Sequence, residues 1–492
     1  MFYPTLDEVK SLLQKYNVIP VSMEIYADME TPISLFKRFE KSKYCFLLES
    51  IEGGEKWARF SFIGRDPFLI FRSQNGKSII EEKDGTVTEK DGNPIEILKN
   101  IFSKYKGLKL QGIPRFDGGA VGFFGYDLIR YYEHLPNVPE DDLKLPECHF
   151  MFADEVIAFD HLKQKIHIIV NLHVNGNLER NYFSTVERIK EIHREIVSQR
   201  WKVSEPQEPS YKNHKSDELV SNVTKEEYCN NVIKAKQYIT DGDIFQVVLS
   251  QRWKMSYDYP SINVYRALRI INPSPYMYYL KFNDYCLVGS SPEMLSRVEN
   301  GIAETCPIAG TRKRGATELE DAELELDLLA DEKEIAEHTM LVDLGRNDIG
   351  KVSEFGTVEV KDFMHVEKYS HVMHLVTNVR GKLKQDKTAF DALMSVLPAG
   401  TLSGAPKIRA MEIIDSLENV KRGTYGGAIG YLSFDGSMDS CITIRTMVFK
   451  NNQVYIQAGA GIVADSVPEK EYDESVNKAK ALLTALEEAK KL

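Results

Sequence analysis

Apolar residues recur along the chain with two different spacings, and the spacing changes at a polar stretch near residue 210. Before this stretch, short runs rich in aromatic and β-branched residues are bounded by Gly, Asp and Asn, which is typical of strands joined by turns. These runs are Tyr44 to Leu48, Phe68 to Phe71, Phe150 to Phe159 and Lys165 to Val174. After it, apolar residues at every third or fourth position predict helices. The predicted helices are Lys225 to Thr240, Asp331 to Leu344, Lys407 to Leu417 and Ser475 to Leu486, and they alternate with strands.

Three further strand-like runs follow one another across short turns, at Ala428 to Phe434, Cys441 to Phe449 and Gln453 to Gln457. Closely spaced strands without intervening helices favour antiparallel pairing over repeated βαβ units. We therefore predict an α+β fold built on antiparallel sheets. The stretch Ser204 to Asn222, rich in Glu, Pro, Ser, Lys and Asn, indicates a linker between residues 1–203 and 223–492.

The composition is that of an ordinary globular protein, with 43% hydrophobic and 27% charged residues among 492. The net charge is −11 and no long Lys/Arg run occurs, which argues against a nucleic-acid partner because phosphate contacts need clustered cations. No apolar run approaches the roughly 18 to 20 residues that cross a bilayer, and the N-terminus carries no visible secretory or transit signal. We expect a cytoplasmic protein without a membrane or nucleic-acid partner.

The six cysteines are widely scattered, without a C-x-x-C pair that could bind zinc or exchange disulfides. They are expected to be free thiols in a reducing compartment. None lies in the G-x-C-x-G elbow of a glutamine-hydrolysing domain, so that ammonia, if it is used, must be released by another chain.

Two pairs of glutamates stand on predicted helices, Glu334 with Glu337 and Glu471 with Glu474. A spacing of three places each pair on one helix face. Such faces are usually only solvated, and the spacing recurs elsewhere in this Glu-rich chain. Each pair, however, adjoins apolar residues. If the two faces meet, their carboxylates repel unless a cation lies between them, and hard oxygen ligands suit Mg²⁺.

Four other features have both a structural and a functional interpretation. The segment Gly400 to Lys407 leads into a predicted helix and is either a capped turn or an anion site at a helix N-terminus. Gly459 to Gly461 is either a tight turn or a nest of backbone donors for a carboxylate. Arg445, inside an apolar run, either forms a structural ion pair or grips a substrate carboxylate. His374 is either a core histidine or a catalytic group.

Five motifs in the second half resemble, in their order, those of the chorismate-utilising enzymes. They are Pro307-Ile-Ala-Gly-Thr311, Asp331-Glu-Lys-Glu-Ile-Ala-Glu-His338, Val342-Asp-Leu-Gly-Arg-Asn-Asp348, Gly400-Thr-Leu-Ser-Gly-Ala-Pro-Lys407 and Gln457-Ala-Gly-Ala-Gly-Ile462. Within that family the chain is most similar to the component I branch of the anthranilate synthases. The N-terminal half resembles the family's regulatory region at Leu47 to Ser50 and Gly118 to Tyr126. The resemblance implies antiparallel sheets that are sandwiched and flanked by helices, with an N-terminal regulatory part packed on a catalytic part.

The resemblance also implies roles for individual residues. Glu337 and Glu474 match Mg²⁺ ligands, with Glu334 and Glu471 beside them, either touching the metal or bound through water. The matched chorismate-binding positions are Gly310, Thr311, Tyr425, Arg445, Gly459, Ala460 and Gly461. The catalytic positions are Glu293 as general acid, His374 near the reacting ring, Gln246 and Thr401. The positions matching the site of inhibition by tryptophan are Ser50, Pro275, Tyr276 and Met277.

The activity implied by the resemblance is the conversion of chorismate and ammonia into anthranilate and pyruvate through aminodeoxyisochorismate, the first step of tryptophan biosynthesis. A partner glutamine amidotransferase would supply the ammonia, in an assembly of two large and two small subunits, and tryptophan would inhibit the enzyme.

Two positions separate this activity from those of relatives. Gln246 stands where relatives that add water carry a lysine base, and Ala309 stands where many aminodeoxychorismate synthases carry a lysine nucleophile. The alternatives are an aminodeoxychorismate synthase and a non-catalytic tryptophan sensor. Retention of both glutamate pairs and of Glu293 counts against the sensor.

Overall fold

The computed structural model describes residues 2–51, 59–198, 218–369 and 372–492. Most of the predicted linker 204–222 lies outside the described residues, and within 218–222 the short strand Val220–Ser221 is formed. None of the helices in the described ranges combines the length and the apolar composition that a membrane span requires.

The described ranges contain eleven α-helices and two short 3-10 helices, Tyr126–Tyr131 and Gly400–Leu402. The α-helices are α1 Leu6–Leu12, α2 Pro32–Phe39, α3 Pro94–Phe102, α4 Leu178–Ser198, α5 Lys225–Thr240, α6 Ser261–Ile271, α7 Glu318–Ala330, α8 Glu332–Val352, α9 Ala389–Val396, α10 Lys407–Leu417 and α11 Pro468–Ala489. The predictions for α5 and α10 are confirmed at both ends. Helix α11 begins at Pro468, seven residues before the predicted start at Ser475. A proline is tolerated at this position because residues in the first turn of a helix form no intrahelical hydrogen bond through their N–H groups.

The strands of the N-terminal half are β1 Phe2–Tyr3, β2 Val18–Tyr26, β3 Tyr44–Glu49, β4 Phe60–Arg65, β5 Leu69–Gln74, β6 Lys77–Glu82, β7 Val87–Asp91, β8 Gly119–Phe124, β9 Cys148–Ala153, β10 Glu155–Asp160 and β11 Lys165–His173. The strands of the C-terminal half are β12 Val220–Ser221, β13 Gln246–Ser256, β14 Tyr276–Phe282, β15 Tyr285–Ser291, β16 Met294–Glu299, β17 Ile302–Thr305, β18 Ile308–Lys313, β19 Glu359–Lys368, β20 Val372–Lys382, β21 Gly404–Ala405, β22 Ala428–Ser433, β23 Met438–Ile442, β24 Thr446–Lys450 and β25 Gln453–Ile462.

Two sheets collect these strands, and all pairings between the named strands are antiparallel. The larger sheet has the order β1-β2-β11-β10-β4-β3-β14-β15-β24-β25-β13-β12, with β21 paired to β13. The other has the order β18-β20-β17-β16-β23-β22-β8-β9-β5-β6-β7, with β19 paired to β20. The predicted α+β class is therefore confirmed.

Two of the predicted strands are wrong because each is in fact a pair of strands. The run Phe150 to Phe159 divides into β9 and β10, and the run Cys441 to Phe449 spans the end of β23 and most of β24. In both cases the two strands belong to different sheets. Between β23 and β24 the chain turns at Arg445, whose φ of 50° lies in the left-handed region. Arg445 therefore lies at a corner between sheets and not within a strand.

The two sheets pack face to face, and helices cover their outer faces. On β3, Phe46 points into a core shared by both sheets, whereas its neighbours Cys45 and Leu47 pack with helices, since successive side chains of a strand face opposite sides. The outer face of the larger sheet packs against residues of α1, α2, α4, α6 and α11, and that of the other sheet against α3, α8 and α9.

Both sheets run from the N-terminal half into the C-terminal half. In the larger sheet β3 pairs with β14, and Glu49 lies opposite Met277. In the other sheet β8 pairs with β22, and Phe124 lies opposite Ala428. The two halves therefore meet along continuous backbone hydrogen bonding.

Candidate active site

A cavity of about 680 Å³ collects nearly all of the predicted catalytic, chorismate-binding and metal-binding residues. The lining residues among them are Gln246, Glu293, Gly310, Thr311, Glu334, Glu337, His374, Thr401, Tyr425, Arg445, Gly459, Gly461, Glu471 and Glu474. Ala460 is fully buried and does not belong to this lining. Residues more than 200 positions apart in the sequence thus face one space.

Two helix N-termini bring the glutamates to the cavity. Helix α8 begins after Asp331, whose carboxylate accepts hydrogen bonds from the backbone N–H groups of Lys333 and Glu334, which fixes the first turn. Helix α11 begins at Pro468, one turn before Glu471. Because each glutamate pair has a spacing of three, both of its members face the same side of the helix.

The carboxylates repel one another within each pair. Burial and the neighbouring Glu337 raise the pKa of Glu334, and burial together with Glu474 raises the pKa of Glu471. Among the described residues, no three His, Cys, Asp or Glu side chains are close enough together to hold a metal ion. The donor set nevertheless fits a hard divalent cation, since it offers carboxylate oxygens whose repulsion a cation would relieve.

Two lysines that sequence reasoning missed also line this part of the cavity. Lys478 Nζ lies 2.8 Å from Glu474 Oε1 and donates a hydrogen bond of 3.1 Å to the Gly459 carbonyl. The charge of Lys333 acts on both Glu334 and Glu471, from different helices. The signal of Lys478 in the sequence, its position four residues after Glu474, is weak because this spacing is common on exposed helices.

Glu293 follows β15 and lines the same cavity. Burial raises the pKa of its carboxyl group to about 8. The hydroxyl of Thr401 donates a hydrogen bond of 3.1 Å to Glu293 Oε1 and, with the charge of Lys478, opposes that rise. A carboxyl group with this pKa is largely protonated at neutral pH and can act as an acid.

His374 projects from β20 with one ring nitrogen already engaged. Its Nδ1 lies 2.7 Å from the Gly310 carbonyl oxygen, which can only accept, so Nδ1 carries the proton. Burial lowers the pKa of the imidazole, and the nearby charge of Arg445 lowers it further. The ring is therefore neutral, and its Nε2 is left with a lone pair.

Arg445 faces the cavity from the corner between β23 and β24. Its guanidinium group forms no ion pair with any residue that the structure describes. Of the two interpretations of Arg445, the structural ion pair is therefore wrong. Burial lowers its pKa, because the charged form loses water without gaining an anion. A guanidinium group in this state favours a carboxylate ligand.

The segment Gly459 to Gly461 is neither a nest nor a turn, because it lies within β25. Strand β13 pairs with β25 as far as Ile462, whereas β24 pairs with it only up to Ile456. One edge of β25 beyond Ile456 therefore has no partner strand among the described residues. Since Gly459 and Gly461 line the cavity, this edge can offer backbone N–H groups to a ligand.

The segment Gly400 to Lys407 is not a free anion site. The Lys407 ammonium group is buried, lies 2.7 Å from Asp348 Oδ2 and also donates to the Val396 carbonyl. Gly404 and Ala405 pair with β13 at Val247 and Gln246. The segment instead holds Thr401 against Glu293 and fixes the end of β13, where the amide of Gln246 lies 3.5 Å from Glu337 Oε1.

The residues matched to tryptophan inhibition line a second cavity of about 40 Å³, at the junction of the two halves. Ser50 directly follows β3, and Tyr276 and Met277 come from β14. Arg115 and Asp439 also line it and form an ion pair with an N–O distance of 3.3 Å. Pro275 lines both cavities.

Comparisons with known proteins agree with this arrangement. The family model described as chorismate binding enzyme matches residues 43–484. The chain is 70% identical over 491 residues to anthranilate synthase component 1 of Acetivibrio thermocellus, covering 99% of each chain. It is 47% identical to that of Aquifex aeolicus, covering 98% of this chain and 97% of that one.

Among solved structures, anthranilate synthase component I from Streptococcus pneumoniae TIGR4 superimposes with a TM-score of 0.76 at 40% identity. The match covers 93% of this chain and 98% of that chain. The chain belongs to the chorismate-binding enzymes, in the group formed by the component 1 proteins of anthranilate synthase.

Proposed function

We propose that the chain converts chorismate and ammonia into anthranilate, pyruvate and water, and so begins tryptophan biosynthesis. One observation carries the proposal. A single cavity is lined by two glutamate pairs from α8 and α11 and, among the described residues, by an arginine without an ion-pair partner. Chorismate is a dicarboxylate, so that one carboxylate can pair with the arginine and the other can share a cation with the glutamates.

Mg²⁺ is the cation proposed for this site. Glu337 and Glu474 would hold it, with Glu334 and Glu471 beside them either as ligands or through water. When bound, the ion draws electron density from the substrate through the ring carboxylate. The two lysines next to the glutamates, Lys333 and Lys478, partly offset the negative charge of the site.

The substrate would be oriented by groups that are already in place. Arg445 and the backbone N–H groups of Gly459 and Gly461, at the free edge of β25, would bind the two substrate carboxylates. The glutamates would contribute to this binding through the cation. Tyr425 is buried at the cavity wall, and burial raises the pKa of its hydroxyl group, so it remains a neutral donor. Groups fixed before the substrate binds lower the entropic cost of reaching the reactive geometry.

In the first stage ammonia attacks C2 of the ring, the double bonds shift, and the C4 hydroxyl leaves as water. Glu293 gives the leaving hydroxyl its proton, a task for which its raised pKa suits it. Thr401 holds the carboxyl group in one orientation. The product of this stage is aminodeoxyisochorismate.

In the second stage the C2 proton is lost and the C–O bond to the enolpyruvyl group breaks, which makes the ring aromatic. The departing enolate takes up a proton at its CH₂ carbon and becomes pyruvate. His374 is the proposed base. Its Nδ1–H donates to the Gly310 carbonyl, which leaves Nε2 to accept the proton. The imidazole is neutral before the reaction because burial lowers its pKa.

Ammonia is proposed to come from a separate glutamine amidotransferase subunit, in an assembly of two large and two small subunits. The thiols of this chain support an outside source. Burial raises the pKa of all six, whereas a glutamine-hydrolysing cysteine needs a lowered one.

Tryptophan is proposed to inhibit the enzyme by binding at Ser50 and Met277, where the cavity has to widen because about 40 Å³ is little more than the volume of one water molecule. The ion pair of Arg115 and Asp439 on its wall offers one charge for the carboxylate of an amino acid and the opposite one for its amino group. Because Pro275 lines both cavities, a ligand in the small cavity can displace a wall of the large one.

Identification of the product tests the proposed function. The purified chain is incubated with chorismate, Mg²⁺ and an ammonium salt, and the products are separated and measured by fluorescence and mass. Anthranilate and pyruvate in equal amounts are expected. Accumulation of 4-amino-4-deoxychorismate would assign the chain to folate synthesis. Absence of turnover would favour the alternative of a non-catalytic tryptophan sensor.

A further inference from the structure

Arg422 is buried directly behind the wall of the large cavity, with 3% of its surface exposed. Its Nη1 donates a hydrogen bond of 2.5 Å to the Leu402 carbonyl, and its Nη2 donates one of 2.7 Å to the Val248 carbonyl. Leu402 and Val248 both line the cavity. They belong to different elements, the 3-10 helix Gly400–Leu402 and strand β13. One guanidinium group therefore joins two parts of the cavity wall.

Glu418, which directly follows α10, extends these contacts to a third part of the wall. The Nε and Nη2 groups of Arg422 donate hydrogen bonds of 2.8 and 2.6 Å to its two carboxylate oxygens. Oε1 of Glu418 also accepts hydrogen bonds from the backbone N–H and the hydroxyl group of Ser250. The Ser250 hydroxyl oxygen in turn accepts one of 2.9 Å from Gln457, which lines the cavity from β25. The ion pair thus links β13 and β25 to the end of α10.

The guanidinium group of Arg422 also faces two aromatic rings. Its Cζ lies 4.7 Å from the ring centroid of Tyr126 and 5.6 Å from that of Tyr425, distances at which a cation is attracted to the face of a ring. Tyr425 lines the large cavity. Arg422 therefore contacts the cavity wall at Tyr425 as well as at the two carbonyl groups.

A buried ion pair is a weak source of stability. Moving an arginine and a glutamate out of water costs free energy that offsets most of their mutual attraction. What the guanidinium group supplies is geometry, because its N–H groups form a rigid, planar fork. Arg422 uses this fork to hold Leu402. The residue before Leu402 is Thr401, whose hydroxyl group donates a hydrogen bond to the Glu293 carboxyl group.

We propose that Arg422 is a positioning residue for the general acid. It fixes the Leu402 carbonyl relative to β13, which keeps the Thr401 hydroxyl group within hydrogen-bond distance of Glu293. The carboxyl group is thereby held in one orientation before the substrate binds. A displacement of about 1 Å in such a group can lower the rate about 10²-fold. This role rests on the proposed function, in which Glu293 protonates the leaving hydroxyl group.

A double-mutant cycle tests this role. Both kcat and KM for chorismate are measured, with Mg²⁺ and an ammonium salt, for the wild type, Arg422→Lys, Thr401→Val and the double variant. Lysine keeps the charge but cannot reach both carbonyls and the carboxylate at once, since its donors lie on a single nitrogen. Each single variant is expected to lower kcat about tenfold or more and to change KM less than about threefold. Because both changes act on one hydrogen bond, the double variant should have the kcat of the slower single variant.

Arg130→Lys is the matched control. Arg130 also donates to two carboxylates and a backbone carbonyl, those of Asp127, Asp415 and Asn137. None of these residues belongs to the lining of the large cavity in the described part of the chain. Arg130→Lys is therefore expected to keep the wild-type kcat even if its Tm falls.

A second variant covers the case in which Arg422→Lys does not fold. Arg422→Met combined with Glu418→Met removes the ion pair without leaving a buried charge unpaired, a replacement that proteins often tolerate. It takes the place of Arg422→Lys in the cycle, and the same dependence on Thr401 is expected.

Three results would overturn the role of Arg422 while leaving the proposed function intact. The first is a double variant slower than the slower single variant by about tenfold or more, because independent changes add in free energy. The second is a wild-type kcat in either single variant, since Arg422 would then not act through Thr401. The third is a loss confined to KM, which would assign Arg422 to substrate binding. A wild-type chain that forms no anthranilate from ammonium would instead reject the proposed function.

Discussion

At the scale of single residues, Glu293 illustrates how position determines chemistry. A glutamate in water is ionised at neutral pH, but the wall of the cavity removes water from this one and raises its pKa to about 8. The hydrogen bond from Thr401 and the charge of Lys478 moderate the effect. The carboxyl group is therefore largely protonated at neutral pH, as the proposed general acid has to be.

The first prediction concerns the protonated form of Glu293. Turnover at constant free ammonia is expected to fall as the pH rises through about 8, because the acid is then lost. Glu293→Gln should reduce turnover on the order of 10²–10⁴-fold and abolish this decline. Steady-state rates over the pH range check it.

Thermal unfolding of the same variant provides the control. The folded state holds the Glu293 proton up to about pH 8, whereas an unfolded glutamate loses it near its ordinary pKa. The group therefore costs the wild type stability as the pH rises between these values. Glu293→Gln should gain in Tm relative to wild type at alkaline pH. A wild-type rate that keeps rising well above pH 8 would contradict the role of Glu293.

The sequence motifs contain many of the side chains that line the large cavity, but they do not give the protonation states of those side chains. The motifs predicted Glu293, His374 and Arg445 as members of one site. Nothing in their immediate neighbours indicates that Glu293 is desolvated by distant segments. The tautomer of His374 likewise depends on the Gly310 carbonyl, 64 positions away. Lys478 was missed because a lysine four residues after a glutamate is common on exposed helices.

At the scale of secondary-structure elements, β25 places backbone groups and two glycines at the wall of the large cavity. Its first residues pair on both edges and its last residues on one only. Glycine at position 459 is needed for close strand contact, since a Cβ there would lie 2.4 Å from the Leu249 carbonyl oxygen. Real Cβ atoms do not approach backbone oxygens so closely, so that β13 and β25 would have to separate.

The second prediction follows from this contact. Gly459→Ala is expected to lower the free energy of unfolding by about 1–3 kcal/mol and to raise KM for chorismate, because the strand edge moves. Gly350→Ala in α8 is the matched control, since its Cβ would meet no atom within 4 Å. That variant should be neutral or up to about 1 kcal/mol more stable. Equal Tm values for the two variants would show that the strand contact does not constrain position 459.

The boundaries of an element could be predicted where the spacing of apolar residues alone determines them. Helices α5 and α10 follow from apolar spacing. The corner at Arg445 does not, because an apolar run that changes sheets has the same composition as one that continues straight. Only the partner strands, β16 and β22 on one side and β15 and β25 on the other, distinguish the two cases.

At the scale of the whole molecule, the two sheets carry contacts from one half of the chain to the other. The small cavity lies where β3 meets β14, and the large cavity shares Pro275 with it. The antiparallel class could be predicted from short connections. The order of the strands could not, since pairs such as Glu49 with Met277 join segments whose local sequences contain no information about each other.

The third prediction concerns tryptophan. Tryptophan is expected to inhibit ammonium-dependent anthranilate formation, and Ser50→Leu should raise the half-inhibitory concentration about tenfold or more, because a larger side chain fills a cavity of about 40 Å³. Inhibition is measured relative to each variant's own uninhibited rate. Ser11→Leu on the exposed surface of α1 is the control. Full activity of the wild type at saturating tryptophan would reject the assignment of this cavity.

The proposed function depends most on the convergence of acidic groups from α8 and α11 on a substrate-bound cation. The decisive measurement is chorismate consumption, with Mg²⁺ and ammonium, by the double variant Glu337→Ala, Glu474→Ala. The control is Glu320→Ala, Glu323→Ala, which removes a pair of the same spacing from α7. We expect chorismate consumption to fall about 10²-fold or more in the first variant and to stay at the wild-type level in the second. Equal consumption by the wild type and the Glu337→Ala, Glu474→Ala chain would contradict it.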